Sequence, residues 1–241
     1  MIWAFLALAL GGVLKGATGA GAPIIAVPVM AILFDVPFAI AIFSVPNLVS
    51  NLWQGWHYRS HQLDRRFTVT FALAGALGAG IGTFMLANLP QEALLILVAL
   101  SVFAYIAFRL ARPDWVLPFA VARRIALPVG TLAGVMQGAA GVSAPVSITF
   151  LNALRTERSA FVATISVFFA AMAVVQIPLL GHYGFLTWER LAWSCAALVP
   201  LLAAMPVGAF LARRISKQVF DRLILGLLAL VALRLLIDAF S

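Results

Sequence analysis

The chain alternates long apolar runs with short breaks of charge, proline and glycine. From the N-terminus the runs are 2–14 and 23–34, separated by a glycine-rich interruption at 16–22, and then 38–56, 67–87 and 93–110. A polar stretch, Arg109–Arg124, follows, and the pattern starts again with 125–136, an interruption at 137–144, 145–154, then 161–180, 191–211 and 223–239. Runs that are apolar on every face leave no side for water, so they predict membrane helices rather than the surface helices of a soluble globule. No basic segment precedes the opening run, and apolar sequence continues beyond it, so it reads as a retained first membrane helix rather than a cleaved leader.

The restart is an internal repeat. Laying Gly12 on Gly134 places GVLKGATGAGAP over GVMQGAAGVSAP, so that Gly12, Val13, Gly16, Ala17, Gly19, Ala22 and Pro23 all recur. The same register pairs Asp35 with Glu157, Ala41 with Ala163, Ser44 with Ser166 and Gln54 with Gln176. Farther on, GTFML from Gly82 falls over GAFLA from Gly208 after a small slip. The expected division is a first repeat at 1–112, a cytoplasmic linker at 113–124 and a second repeat at 125–241.

Composition removes the other fold classes. Of 241 residues, 64% are hydrophobic and 10% charged, with mean hydropathy +1.08, whereas soluble domains are about 45–50% apolar and about 25% charged. At about 25 residues per span and turn, the chain holds about eight to ten segments and no soluble catalytic domain. Net charge is +8, from 16 Lys and Arg against 8 Asp and Glu. In this setting it reads as basic residues flanking spans, not as a nucleic-acid surface. Cys195 is the only cysteine, and His57 and His61 lack a third partner, so no disulfide, metal or cofactor is expected.

Charge placement sets the expected topology. Arg59, Arg65 and Arg66, then Arg109, Arg112, Arg123 and Arg124, then Arg155 and Arg158, then Arg213, Arg214, Lys217 and Arg222 mark four basic loops; the loops at Asp35, 88–92 and 181–189 hold no Lys or Arg. With the basic loops in the cytoplasm, 1–34 begins and ends outside and 125–154 begins and ends inside, so Asp114 is cytoplasmic and Ser241 periplasmic. The fold class that follows is an all-α polytopic membrane protein of two inverted-topology repeats. Each repeat is a Gly-rich helix-break-helix hairpin plus three transmembrane helices. Hairpin arms of about 12–14 residues reach about 20 Å, short of a hydrocarbon core of about 30 Å, so the tips are expected to meet near the midplane. The competing reading is that the glycines merely allow close helix packing.

The tips supply candidate anion chemistry. Pro23 and Pro145 suit the first turn of a helix that starts in mid-membrane, where free N–H groups and the positive dipole end favour an anion. Lys15 stands deep in an apolar segment, where a charge is expensive and points to function unless it snorkels to the surface. Its repeat partner is Gln137. Gly16, Gly19, Gly21, Gly138 and Gly141 would let the backbone approach the ligand. Thr18, Ser143, Ser147 and Thr149 are polar groups in the breaks or second arms, and Ser44, Thr164, Ser166 and Gln176 lie on the following helices. Asn47, Asn51 and Gln54 share one helical face. Phe169 and Ala173 stand where the second repeat would match the asparagines, which weights the site toward the first half. Trp53, Trp56, Tyr58, Trp115, Tyr183, Trp188 and Trp193 fall near span ends as an interfacial belt.

The first motif, G-x-x-x-G-x-x-G-x-G-x-P from Gly12 to Pro23, and its weaker copy ending at Pro145 resemble the sulfite exporter TauE/SafE family over nearly the whole chain. The sequence departs from the common pattern at Thr18-Gly19-Ala20-Gly21-Ala22 and at Val142-Ser143-Ala144, where glycine runs are frequent. The resemblance implies a transporter of sulfur-containing anions such as sulfite or organosulfonates, usually an exporter. The expected setting is a bacterial inner membrane, with a small anion and the lipid bilayer as partners and homodimerisation left open. All carboxylates fall in loops or at span ends, which argues against an enzyme.

Overall fold

The computed structural model describes residues 2–111, 115–214 and 217–239, and among these all regular structure is helical. In chain order the helices are α1 (Ile2–Thr18), α2 (Ala22–Leu33), α3 (Val36–His57), α4 (Arg65–Asn88), α5 (Gln91–Ala111), α6 (Phe119–Ala140), α7 (Ala144–Asn152), α8 (Arg158–His182), α9 (Trp188–Ala196), α10 (Leu198–Arg214) and α11 (Lys217–Ala239). Six stretches among the described residues, α9 and α10 counting as one, are long and apolar enough to cross a membrane. Topology markers at Met1, Arg112, Asp114 and Ser241 lie outside the described residues.

Loop polar residues start the helices. Asp35 accepts the Phe38 N–H at 2.5 Å, Asp64 the Phe67 N–H at 2.9 Å and Thr187 the Arg190 N–H at 3.2 Å, each filling an orphan donor of a first turn. Between α3 and α4 the chain makes a 3-10 turn at Arg59–His61.

The two breaks are shorter than the sequence suggests. They occupy 19–21 and 141–143, not 16–22 and 137–144. Gly16 and Gly138 continue their helices, because glycine inside a membrane helix is tolerated where a neighbour packs closely. The arms are also unequal. The first has 17 and 12 residues, the second 22 and 9. The longest arm, α6, spans about 33 Å and can cross a membrane alone. It begins at Phe119, so Arg123 and Arg124 ride on its first turns instead of lying in a loop.

Both breaks use the same backbone device. Gly19 (φ +90°) and Gly141 (φ +69°) sit in the left-handed region that L side chains avoid. The next helices are capped by Gly21 (φ −83°, ψ −2°) and Ser143 (φ −103°, ψ −2°), and each has a proline, Pro23 or Pro145, in its first turn.

Close glycine contacts tie each first arm to the other half of the chain. A Cβ on Gly12 would lie 2.3 Å from Leu201 O, and one on Gly16 would lie 1.9 Å from Met205 O, so α1 lies backbone-to-backbone on α10. In the second half, a Cβ on Gly134 would lie 2.2 Å from Gly75 O and one on Gly138 would lie 2.4 Å from Ala79 O, which seats α6 on α4. Gly82 against Val135 and Gly208 against Val13 complete the correspondence. At the tips, Gly19 faces Val162 of α8, and Gly141 faces Ile40 of α3. Antiparallel α3 and α8 cross between them, with Gly55 near the end of α3 against Ser166 and Val167 near the start of α8.

Large apolar side chains face outward along the helices, and several polar side chains are buried among the apolar core. Leu73, Leu77, Leu127 and Leu230 are well exposed, whereas Lys15, Asn47, Asn51, Gln54, Gln137 and Gln176 are buried. That distribution suits a lipid solvent. The apolar run expected at 191–211 is broken at Ala197, three residues before Pro200, which has no N–H to donate. Pro46 similarly leaves the Ile42 carbonyl without its helical donor, and Ser194 of α9 supplies one: its hydroxyl donates to Ile42 O at 2.8 Å and accepts from Val45 N at 3.2 Å.

Candidate functional site

Lys15 lies on the last turns of α1 and is 1% exposed. It does not snorkel. Its Nζ donates to Asn51 Oδ1 at 2.8 Å, and Asn51 Nδ2 donates to Asn47 Oδ1 at 2.7 Å and to Asn47 O at 2.8 Å. The asparagines share a face of α3, so one amide relay turns its oxygen to the cation and passes donors down the helix. Among the described residues no carboxylate pairs with Lys15. A buried ammonium held by an amide oxygen keeps most of its desolvation cost and most of its attraction for an incoming anion. Gln54, on the same helix, is buried with Oε1 unpartnered.

The second half makes a different cluster. Gln176 Nε2 of α8 reaches Gln137 O at 3.5 Å and Gly138 O at 3.4 Å. Gln137 Oε1 and Ser166 Oγ are buried and unpartnered. Asn51 lies about 22 Å from the start of α3, and Gln176 about 27 Å from the start of α8. Because α3 and α8 run antiparallel, the Lys15 and Gln137 clusters lie toward opposite ends of the pair. The tips therefore pass each other instead of meeting at one level, because the first arms, α1 and α6, are longer than expected.

Other sequence candidates serve the breaks themselves. Thr18 is exposed; its hydroxyl donates to Leu14 O at 2.8 Å and accepts from Gly21 N at 3.1 Å. Ser143 Oγ lies 3.2 Å from Ser147 Oγ, and Ser147 Oγ donates to Ser143 O at 3.0 Å. First-turn N–H groups expected to be free are partly used: Ile24 N donates to Gly21 O, and Val146 N and Ser147 N donate to Ser143 O. Gly21 lies against the Leu14 side chain. Thr164 Oγ1 accepts the Leu63 N–H at 3.4 Å, and Ser44 Oγ donates to Ala41 O, so neither is held toward Lys15.

One polar contact was not legible in the sequence beyond its charge. Arg158, the first residue of α8, donates from Nη2 to Gly16 O at 3.1 Å and to Ala17 O at 3.3 Å. These carbonyls belong to the last turn of α1, directly after Lys15.

The described residues thus combine helices with apolar outer faces, two proline-closed glycine breaks and a buried ammonium. The family model of the sulfite exporter TauE/SafE matches residues 4–235. The chain belongs to the TauE/SafE sulfite exporter family. No curated protein and no solved structure matches it. This TauE/SafE chain is thus a multi-pass membrane transporter, with the bilayer around it and a small molecule as its substrate.

Proposed function

We propose that this TauE/SafE protein is a secondary carrier that moves sulfur-containing anions, sulfite or organosulfonates, outward across a bacterial inner membrane. The observation that carries this reading is the Lys15 ammonium, buried and bonded to Asn51 without a described carboxylate partner. The anion supplies the missing countercharge. Asn51 orients the ammonium and Asn47 and Gln54 offer amide donors on the first-half side, while Gln137 and Gln176 offer an uncharged counterpart toward the other end. Among the described residues the buried polar groups are amides, hydroxyls and the Lys15 ammonium, which suits a carrier better than an enzyme.

The architecture is read as two inverted repeats, 1–112 and 125–241, joined by 113–124, with α6 reaching back to Phe119. The support is that contacts recur in pairs: Gly19 with Val162 and Gly141 with Ile40, Gly16 with Met205 and Gly138 with Ala79. Each hairpin thus leans on the other half, as alternating access requires. In this reading the Arg59–His61 turn and the Arg155–Arg158 loop face the cytoplasm, and Asp35 and Gly184 face outside. Labelling of Ser60→Cys from the cytoplasm only and of Gly184→Cys from the periplasm only, both in a Cys195→Ala background, is the expected result.

For energy, an anion leaving a cell that is negative inside gains about 2.3 kcal/mol per charge per 100 mV, enough for about fiftyfold outward accumulation. No proton relay is invoked, and with an anion bound Lys15 need not deprotonate, because the substrate brings the countercharge. In liposomes, sulfite flux should saturate and rise with a potential negative on the substrate side, without a pH gradient. Flux that ignores voltage and needs a pH gradient would replace this mechanism with a coupled carrier; channel-like conductance would replace the carrier itself.

A further inference from the structure

The last turn of α1 has carbonyls that its own helix cannot satisfy, because the chain turns left-handed at Gly19. Gly19 N takes Lys15 O at 2.6 Å, and Ala20 N and Gly21 N go to Thr18 Oγ1. Gly16 O and Ala17 O are met instead by Arg158, from the other half of the chain. One turn farther along α8, Val162 faces Gly19. The first tip is therefore pinned to the start of α8 by one exposed guanidinium and one aliphatic contact. At the second tip the matching last-turn carbonyl, Gly138 O, takes the neutral amide of Gln176 instead. The position matching Arg158 in the repeat register is Val36, fully buried, and Gly141 is held by Val27 and Ile40.

We propose that Arg158 is an anion-operated latch on the first hairpin tip: a sulfur oxyanion reaching that face takes the guanidinium from Gly16 O and Ala17 O, and the freed tip opens the way to Lys15. The oxyanion and the two carbonyls compete for the same N–H groups. A guanidinium binds an oxyanion through two parallel charge-assisted bonds, stronger and better matched in shape than its bonds to neutral carbonyls. Arg158 is exposed and Lys15 is buried, so an anion arriving on this face meets Arg158 first. The residues it lets go follow Lys15 directly, so release is transmitted to the binding ammonium through one turn of helix. The other tip is held by the buried, neutral Gln176 amide on Gln137 O and Gly138 O and by aliphatic contacts, so it offers an arriving anion no exposed guanidinium among the described residues. Arg158 is thus a positioning residue that admits anions from one side. The proposal takes its ligand from the carrier reading above.

The test uses the full-length protein in liposomes, with Ala20→Cys as a reporter on the first tip and Val142→Cys on the second, both in a Cys195→Ala background. Ala20 and Val142 are buried, so a water-soluble maleimide reads opening. Sulfite should speed labelling of Ala20→Cys in the parent. Arg158→Gln should label fast without sulfite and gain nothing from it, while Val142→Cys stays unchanged by Arg158→Gln. Arg158→Lys, which keeps charge but loses the fork, should fall between. In flux, Arg158→Gln should raise KM about tenfold without lowering the maximal rate, since capture is lost and opening is not. Slow labelling of Ala20→Cys in both Arg158→Gln and Arg158→Lys, or a lower maximal rate at unchanged KM, overturns the latch. If the parent neither transports nor responds to sulfite, the carrier reading fails separately, and the latch is still decided by whether Arg158→Gln alone exposes Ala20→Cys.

Discussion

Replacing Lys15 by Gln should make the protein more stable and a worse binder, and the opposite signs are the signature of a charge kept for function. The ammonium is 1% exposed and holds one amide oxygen, Asn51 Oδ1, at 2.8 Å. Burying a charge costs several kcal/mol, of which one charge-assisted hydrogen bond returns about 1.5–3 kcal/mol. Gln removes the charge and can still donate to Asn51. A net gain of about 1–2 kcal/mol corresponds to a rise in Tm of about 3–6 °C for a chain of this size. An anion at 4 Å from the ammonium gains about 4 kcal/mol at an effective dielectric of 20, and the Gln amide recovers part of that as a neutral hydrogen bond. The expected loss of affinity is therefore about 10- to 100-fold. Thermal unfolding with and without sulfite reads both effects. At a concentration 100 times the parent Kd, sulfite should stabilise the parent by about 2.7 kcal/mol; after a hundredfold loss the same concentration gives about 0.4 kcal/mol. A Lys15→Gln variant that keeps the parent's sulfite-dependent Tm shift and KM would refute the assignment of the site. Lys15→Arg keeps the charge but adds volume beside the tight α1–α10 contact, so it should bind better than Lys15→Gln and melt lower than the parent.

Asn51→Asp gives the ammonium a carboxylate partner, and flux should fall at least tenfold with the fold retained, because the anion's countercharge is already taken; size-exclusion profiles and liposome flux check it. Gly16→Ala and Gly138→Ala should reduce folded yield, since their Cβ atoms would fall 1.9 Å from Met205 O and 2.4 Å from Ala79 O. Gly19→Ala and Gly141→Ala should instead insert normally and lose flux, at about 1–2 kcal/mol of backbone strain each. Ser194→Ala orphans the Ile42 carbonyl beneath Pro46 and should lower stability by about 1–2 kcal/mol; in a Pro46→Ala background, where the helical N–H is restored, the loss should largely vanish, as a double-mutant cycle by thermal melting would show.

The sequence by itself determined the solvent and, to within a few residues, the place of the two interruptions. Hydropathy is a property of each residue, so apolar runs mark spans wherever the chain later packs. A left-handed turn is a local backbone state that demands glycine, so Gly19 and Gly141, each followed by a proline that opens a helix, were readable from their spacing. Lys15 stood out because a charge in an apolar run is costly in any fold. Tertiary structure decided the rest. Gly16 and Gly138 look like break residues in one dimension; only the backbones of α10 and α4, brought in from far along the chain, show that they are contact points inside continuous helices. Arg123 and Arg124 read as loop charges, yet they ride on a helix that begins at Phe119, because a long arm can carry charged residues at its end. Lys15 chose Asn51 over Gln54 through the crossing of α1 and α3, and Arg158 found Gly16 O and Ala17 O through the packing of the first tip on α8. A hydrogen-bond partner depends on which surface arrives opposite, and that is fixed by the whole bundle rather than by the segment that carries the donor.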